Sequence, residues 1–255
     1  MKLSLCINSV TGDMSKPDAI RHAKHLGFSA IEFWEGGASD FDTNLYKQAL
    51  DETGLTLACM GFASELVDPS TRDLFLENVK TSLKNAKILG AKRIIATTGQ
   101  EVTHLTRQEQ HDSIVEGLVQ AAKILKDTDI ILVLEPLNIL VNHKGYYLSE
   151  SKEGFEIIQK VNSPNIKLLF DIYHQQITEG NLISNIINNI DLIGHFHVAG
   201  NPGRNEPYIG EINYQNIFAE IDKTNFKGHA GLEYWPKGDP DTGLKRCLEL
   251  YESYQ

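Results

Sequence analysis

Four side chains able to bind a metal ion or move a proton stand at the ends of apolar runs in the second half of the chain. Glu135 ends ILVLE, Asp171 ends IKLLFD, His197 lies in GHFHV and Glu233 ends HAGLE. They follow one another at intervals of 36, 26 and 36 residues, each close to the roughly 30 residues of one strand–helix unit. Neighbouring parallel strands lie about 4.8 Å apart, so side chains at similar height on them can converge on one point.

The chemistry that suits such a group is the binding of one divalent cation. Three carboxylates held together repel each other at neutral pH unless their pKa values rise or a positive group lies between them. Oxygen ligands with a single nitrogen favour Mn²⁺, Mg²⁺ or Co²⁺ over a thiolate-bound Zn²⁺. Four protein ligands would leave an octahedral ion two open positions, which two adjacent substrate oxygens could fill. The sequence therefore predicts one metal site, formed by Glu135, Asp171, His197 and Glu233.

Each of these residues also has a simpler interpretation. A glutamate after a strand is often an ion-pair partner, Asp171 could cap a following helix, and Glu233 could be an ordinary buried carboxylate. His195 and His197 share one strand; we expect at most one of them to face the barrel axis, and either could be a core histidine. The spacing shared by all four positions is what favours the metal site.

The elements that must position these residues alternate regularly along the chain. Eight short β-rich runs predict strands at 2–7, 30–34, 55–60, 93–97, 130–134, 166–170, 193–198 and 229–233. Eight amphipathic runs predict helices at 16–26, 44–53, 72–89, 107–126, 151–161, 181–190, 214–223 and 242–251. Gly27, Gly54 and Gly90 are suited to end the first three helices, and Thr106 to cap the fourth.

This alternation predicts a parallel sheet of the α/β class. Its eight units and 255 residues favour a closed (β/α)₈ barrel, a TIM barrel, as a single domain over residues 1–255. An open doubly wound sheet is the rival fold. It would favour a glycine-rich phosphate loop after the first strand, which INSVTGD matches poorly.

Composition narrows the functional classes. The formal net charge of −10 argues against a nucleic-acid surface, which needs a basic stripe. Cys6, Cys59 and Cys247 give no disulfide framework. No run approaches the ~18 apolar residues of a membrane helix, and the first residues do not resemble a signal peptide. We therefore expect a cytoplasmic protein with no membrane or nucleic-acid partner; a homo-oligomer is compatible with these features.

Longer stretches around the candidate ligands carry a family resemblance. LEPLN, FDIYHQQITEGNL, GHFHVAGNPGRNEP…GEINY and GLEYWP resemble hydroxypyruvate isomerases, which belong to the xylose isomerase-like TIM barrels. The resemblance covers the C-terminal half, whereas the N-terminal half matches only in the rhythm of strands and helices. At the position of His197 the hydroxypyruvate isomerases are expected to carry glutamine, and histidine there looks more like the sugar 3-epimerases.

The resemblance implies a metal-dependent isomerase that interconverts a small hydroxy-aldehyde and hydroxy-ketone through an enediolate. It implies the same four metal ligands, and Glu135 and Glu233 as the acid–base pair. By similarity to the epimerases, His174 and Arg204 would contact the substrate. His174 could instead make only a supporting hydrogen bond, and Arg204 could form a surface ion pair with Glu206 or Glu211. The expected substrate is hydroxypyruvate, tartronate semialdehyde or a 2-oxo-tetronate.

Other functions share parts of this pattern. A ketose 3-epimerase would use the same metal and glutamates, and an inosose isomerase or dehydratase would act on a cyclic ketone. A DNA-repair enzyme of the endonuclease IV type would need three zinc ions, more histidine ligands and a basic groove. A non-catalytic binding barrel would have no need of two metal-linked carboxylates beside an open coordination position.

Overall fold

Eight parallel strands form a closed barrel in the computed structural model, which describes residues 1–38 and 41–253. Each strand pairs with its neighbours in chain order, and β8 pairs with β1. The strands are β1 (Lys2–Cys6), β2 (Ala30–Phe33), β3 (Thr56–Gly61), β4 (Arg93–Ala96), β5 (Ile131–Leu134), β6 (Ile166–Asp171), β7 (Ile193–Val198) and β8 (His229–Leu232). The predicted (β/α)₈ barrel is confirmed, and each strand begins and ends within one residue of its predicted bounds.

Helices surround the barrel between successive strands. They are α1 (Ile7–Val10), α2 (Lys16–His25), α3 (Thr43–Thr53), α4 (Arg72–Leu89), α5 (Arg107–Leu125), α6 (Ser151–Val161), α7 (Ile172–Thr178), α8 (Leu182–Asn188), α9 (Tyr214–Asp222) and α10 (Pro240–Glu252). The short helices α1 and α7 were not predicted, because each follows a strand without a separating turn. Within the described ranges, none of these helices is long and apolar enough to cross a membrane.

Most helix ends follow the signals in the sequence. Gly54 and Gly90 end α3 and α4 with φ angles of 67° and 79°, which glycine adopts without a steric penalty. Thr106 begins α5 in a capping box, in which it accepts from the Glu109 N–H while the Glu109 side chain accepts in return. The prediction for 181–190 was too long, since α8 ends at Asn188 and a 3₁₀ turn (Ile190–Leu192) follows.

The strand register decides which side chains share a level inside the barrel. Asp171 of β6 is the Cα partner of His197 of β7. His197 is in turn the partner of Gly231 of β8, and Gly231 is the partner of Ser4 of β1. These four residues therefore form one row across β6, β7, β8 and β1, close to the C-terminal ends of the strands, where barrel active sites are found.

Candidate active site

The four predicted metal ligands come together in the structure. Glu135 and Glu233 directly follow β5 and β8, and Asp171 and His197 lie in β6 and β7. One ligand atom of each lies within 4.8 Å of those of the other three. All four residues are at most 6% exposed to solvent. Because the barrel is closed, four residues that are evenly spaced along the chain form a single buried group.

His197 is the positive centre of this group. Its Nδ1 lies 3.1 Å from Glu135 Oε1 and 3.4 Å from Glu233 Oε2. Burial by itself lowers the pKa of His197, but Glu233, Glu32 and Glu135 outweigh burial and raise that pKa well above its ordinary value. A proton on His197 therefore offsets part of the repulsion among the carboxylates.

The two glutamates differ in their electrostatic surroundings. Burial raises the pKa of Glu135 to about 7, with Glu233 and Asp171 adding to the effect and His197 opposing it. Burial also acts to raise the pKa of Glu233, but His197 and Arg204 outweigh it and hold that pKa below its usual range. Near neutral pH and with no cation bound, Glu135 is therefore partly protonated, whereas Glu233 is ionised. Such a divided pair is typical of acid–base sites.

The donor set fits a divalent cation. Three carboxylates and one imidazole nitrogen form an oxygen-rich set, and no thiol is among them. His197 and Arg204 are the positive groups beside these carboxylates, and a cation bound between the ligand atoms would take over part of their neutralising role. The residues present thus match the predicted metal site.

His174 is held in one orientation beside this group. Asp171 caps α7, because its Oδ1 accepts from the His174 backbone N–H at 3.0 Å. The Asn138 backbone N–H lies 3.2 Å from His174 Nδ1 and donates to it, so a neutral ring carries its proton on Nε2. Burial lowers the pKa of His174 to about 4. His174 therefore presents a neutral Nε2–H to the site, and Asp171 serves as both helix cap and candidate ligand.

Arg204 reaches the same group from the loop after β7. Its guanidinium forms an ion pair with Glu233, and Nη2 lies 3.9 Å from Asp171 Oδ2. The central carbon of the guanidinium, Cζ, lies 4.8 Å from the centre of the Trp235 ring. Arg204 has a φ of 54°, a left-handed conformation uncommon outside glycine, and its carbonyl accepts from the Trp235 N–H at 2.8 Å. Its buried position rules out the surface ion pair with Glu206 or Glu211.

Glu211 supports the same loop. Its carboxylate accepts from Asn201 at 2.6 Å and from Gln176 at 3.2 Å. The backbone N–H of Glu211 also donates to the Asn201 carbonyl at 2.8 Å. These bonds join the two ends of the loop and tie it to α7, so that the loop can hold Arg204 over the site.

One prediction about the histidines was wrong. His195 and His197 both approach Glu32, with each Nε2 lying 2.9 Å from one of the two carboxylate oxygens. Residues two apart in a strand point to the same face, so both rings face the barrel axis. Glu32 was not among the predicted site residues, although a single acidic residue within the apolar run SAIEFW was a signal that could have identified it.

Two adjoining spaces lie beside the four candidate ligands, at the ends of β2 to β5. A space of about 630 Å³ is lined by Ser64, Thr97, His143 and Tyr146, among others, and a second of about 650 Å³ by Asn8, Trp34 and Glu35, among others. The two share lining residues, and the four candidate ligands line neither. Trp34 connects the second space to the site by donating to Glu233 Oε1 at 2.8 Å. Trp34 thus forms part of the wall between the second space and the site.

Known sequences similar to this chain belong to one family. The sequence profile described as "Xylose isomerase-like TIM barrel" matches residues 20–254. The hydroxypyruvate isomerase of Escherichia coli (strain K12) is 34% identical over 177 residues, which are 69% of this chain and 68% of that protein. The 2-oxo-tetronate isomerase of Cupriavidus necator is 30% identical over 86% of each chain.

Solved structures share the whole architecture. A Brucella melitensis structure described as an AP endonuclease, family 2, has a TM-score of 0.90 and 25% identity, and covers 98% of this chain and 99% of its own. The D-psicose 3-epimerase of Clostridium cellulolyticum H10, solved with D-tagatose, has a TM-score of 0.87 at 18% identity, covering 100% and 99% of the two chains. The second likeness concerns the fold alone.

Proposed function

Because this chain belongs to the hydroxypyruvate isomerase family of xylose isomerase-like TIM barrels, we propose that it isomerises a small hydroxy-carbonyl compound with one divalent metal ion. The observation that supports the metal is the convergence of Glu135, Asp171, His197 and Glu233, all buried and with ligand atoms within 4.8 Å of each other. These four side chains would hold the ion. When bound, it would supply Lewis-acid stabilisation of negative charge that develops on the substrate oxygens.

The two glutamates would move the proton. Aldose–ketose isomerisation takes a proton from one carbon and returns a proton to its neighbour. Ionised Glu233 is suited to remove the first proton, and Glu135 is placed to return one to the neighbouring carbon. General acid–base help of this kind is worth roughly 10²–10⁴-fold in rate. Since Glu135 and Glu233 follow strands three positions apart, they can flank a substrate from two sides.

His174 and Arg204 would orient the substrate. The fixed Nε2–H of His174 can donate to a carbonyl or hydroxyl oxygen, because Asn138 occupies its other ring nitrogen. The Arg204 guanidinium can bridge Glu233 and a substrate oxygen or carboxylate, since its planar fork offers several donors. Both groups are buried, which strengthens such hydrogen bonds relative to water.

A substrate screen would test the activity. The relatives named for hydroxypyruvate and 2-oxo-tetronates make these compounds and tartronate semialdehyde the first candidates. The purified chain, supplied in turn with Mn²⁺, Mg²⁺ and Co²⁺, should convert at least one of them to its isomer. Free ketohexoses and inososes belong in the same screen. Turnover of none of these compounds with any of the three metals would refute the proposal.

A ketose 3-epimerase is the second candidate, favoured by the histidine at position 197. An epimerase would return the proton to the other face of the same carbon, so the stereochemistry of the product distinguishes the two reactions. DNA repair is not favoured. The described part of the chain offers two groups of potential metal ligands sharing His197, and the whole chain carries a charge of −10.

We predict that the reaction carries solvent hydrogen into the product. In ²H₂O, a carboxylic acid that exchanges its proton with solvent should deliver deuterium to the substrate carbon. Mass spectrometry of the product at low conversion should therefore show up to one deuterium per turnover. A hydride shift from carbon to carbon would leave the product unlabelled, and that result would contradict the roles given to Glu135 and Glu233.

Replacing Arg204 by lysine should lower kcat/KM by about 10- to 100-fold, a loss of roughly 1.4 to 2.7 kcal/mol of transition-state stabilisation. Lysine keeps the charge but lacks the planar fork of donors with which Arg204 can hold Glu233 and a substrate oxygen together. Arg107→Lys is a matched control, because Arg107 also pairs with a glutamate and lies over an aromatic ring, Tyr147, away from the site. Equal effects of the two substitutions on steady-state kinetics would contradict a role for Arg204 in the reaction.

A further inference from the structure

Glu32 is a buried carboxylate that lies beside the four candidate metal ligands but is not one of them. It lies in β2 and is 1% exposed. Ser4 Oγ donates to Glu32 Oε2 at 2.8 Å, and His195 Nε2 lies 2.9 Å from the same oxygen. His197 Nε2 lies 2.9 Å from the other oxygen, Oε1. Three polar groups from β1 and β7 thus surround one carboxylate in the barrel interior, where apolar side chains are the rule.

The backbone of β8 leaves room for this carboxylate. A Cβ atom on Gly231 would stand 2.0 Å from Glu32 Oε1, so no side chain could occupy position 231 without displacing Glu32. Gly231 is also the register partner of both Ser4 and His197. The close approach requires glycine here, and the barrel interior is therefore shaped around the Glu32 carboxylate.

The two ring nitrogens of His197 face different groups. Nδ1 faces Glu135 and Glu233 of the candidate metal site, and Nε2 faces Glu32. A histidine binds a metal through an unprotonated nitrogen, and a carboxylate on its other N–H fixes which nitrogen that is. The position of Glu32 favours the proton on Nε2 and leaves the Nδ1 lone pair free.

We propose that Glu32 is a positioning residue that holds His197 with its proton on Nε2 and so presents Nδ1 to the divalent ion. This inference rests on the proposed metal site. The inference also includes His195. One oxygen of Glu32 contacts His195 and the other contacts His197, and the Ser4 hydroxyl holds the carboxylate between the two rings. An amide cannot replace it, because glutamine offers one acceptor oxygen and one NH₂ donor. A glutamine NH₂ aimed at His197 Nε2 would favour the wrong tautomer.

Glu32, His195 and His197 could alternatively form a second metal site, since their ligand atoms also lie within 4.8 Å of each other. The observed arrangement favours direct contact between the residues instead. His195 Nε2 is hydrogen-bonded to Glu32 Oε2 at 2.9 Å, and His197 Nε2 lies 2.9 Å from Oε1 in an ion-pair contact that is not aligned as a hydrogen bond. The Ser4 hydroxyl also donates a hydrogen bond to Oε2. The number of ions bound per chain separates the two interpretations.

The test measures Mn²⁺ binding by isothermal titration calorimetry on chelator-treated full-length chain. Wild type should bind one Mn²⁺, and Glu32→Gln should bind it about 10- to 100-fold more weakly. Ser4→Ala removes only one hydrogen bond to Glu32 and should weaken binding by about 2- to 10-fold. Ser4→Ala keeps the test decisive if Glu32→Gln does not fold, as judged by circular dichroism.

A spectroscopic measurement distinguishes positioning from general destabilisation. In ¹⁵N-histidine-labelled protein loaded with Mg²⁺, His197 of wild type should show a protonated Nε2 and an unprotonated Nδ1, and Glu32→Gln should lose this signature. Glu179→Gln is the control, since Glu179 is a partly buried carboxylate that accepts hydrogen bonds from Ser151 of α6 and Asn185 of α8. It should leave both the affinity and the His197 signals unchanged.

The outcomes separate this inference from the proposed function. One Mn²⁺ per wild-type chain, with unchanged affinity and unchanged His197 signals in Glu32→Gln, would overturn the role of Glu32 and leave the metal site standing. Two Mn²⁺ in wild type and one in Glu32→Gln would make Glu32 a ligand, which also overturns it. No Mn²⁺ bound by wild type would refute the metal site itself, and the inference with it.

Discussion

Glu135→Gln and Glu233→Gln should each lower kcat by about 10²- to 10⁴-fold, the range that a positioned acid or base contributes. Glutamine keeps the size of the side chain and one oxygen that can bind a metal, but it cannot take up or release a proton at neutral pH. The loss should therefore appear in kcat more than in KM. Combining the two substitutions should cost much less than the product of the single effects, because both residues act in one proton transfer.

Steady-state kinetics of the two variants, with saturating Mn²⁺, measure this effect. Glu179→Gln is the matched control and should retain kcat within about twofold, since a surface or half-buried substitution away from the site usually changes little. Circular dichroism and thermal unfolding establish that each variant is folded. Near-wild-type turnover by either Glu135→Gln or Glu233→Gln would reject the acid–base assignment for that residue.

Thermal unfolding of the metal-free variants gives a second, independent readout for Glu135. Its pKa is raised from 4.5 to about 7, so the folded chain disfavours the ionised form. The stability that comes from a protonated Glu135 is complete below pH 4.5 and is lost as the pH rises through 7. At pH 8, metal-free Glu135→Gln should therefore unfold no more easily than metal-free wild type, although the metal-loaded variant has lost its activity.

Removal of divalent ions should abolish turnover. After treatment with EDTA and desalting, we expect kcat to fall by at least about 10²-fold, because a metal ion contributes several kcal/mol of charge stabilisation in reactions of this type. Re-addition of Mn²⁺, Mg²⁺ or Co²⁺ should restore activity, to extents that depend on the ion. The metal-free chain should also be less stable, since three carboxylates then remain together without a divalent partner.

The stabilising effect has a defined size. An ion present at 100 times its dissociation constant adds about 2.7 kcal/mol to the free energy of unfolding, provided that it does not bind the unfolded chain. Denaturant unfolding with and without Mn²⁺ measures that difference. Asp171→Asn, which removes the charge of one candidate ligand, should show a smaller increase, and Glu179→Gln the full increase. Full activity in a chain shown by elemental analysis to hold no divalent ion would contradict the proposal.

The sequence alone determined the barrel architecture and the end of the strands at which the site lies. Eight apolar runs separated by amphipathic runs leave few folds other than a closed barrel, because each strand must bury both faces. Gly54 and Gly90 set the ends of α3 and α4, and the Thr106 cap sets the start of α5, by local backbone energetics. Regular spacing then placed Glu135, Asp171, His197 and Glu233 at the same ends of consecutive strands, and closure of the barrel brought them together.

Only the tertiary structure decided which groups those residues face. His195 and Glu32 meet across 163 positions of the chain, a pairing that no local pattern encodes. The burial of Arg204 against Glu233, and the orientation of His174 by Asn138, likewise depend on loops whose paths follow from packing. Periodicity identifies the strand and the end at which a side chain lies. Its protonation state and its partner depend on distances set when β1, β2, β7 and β8 close around one interior.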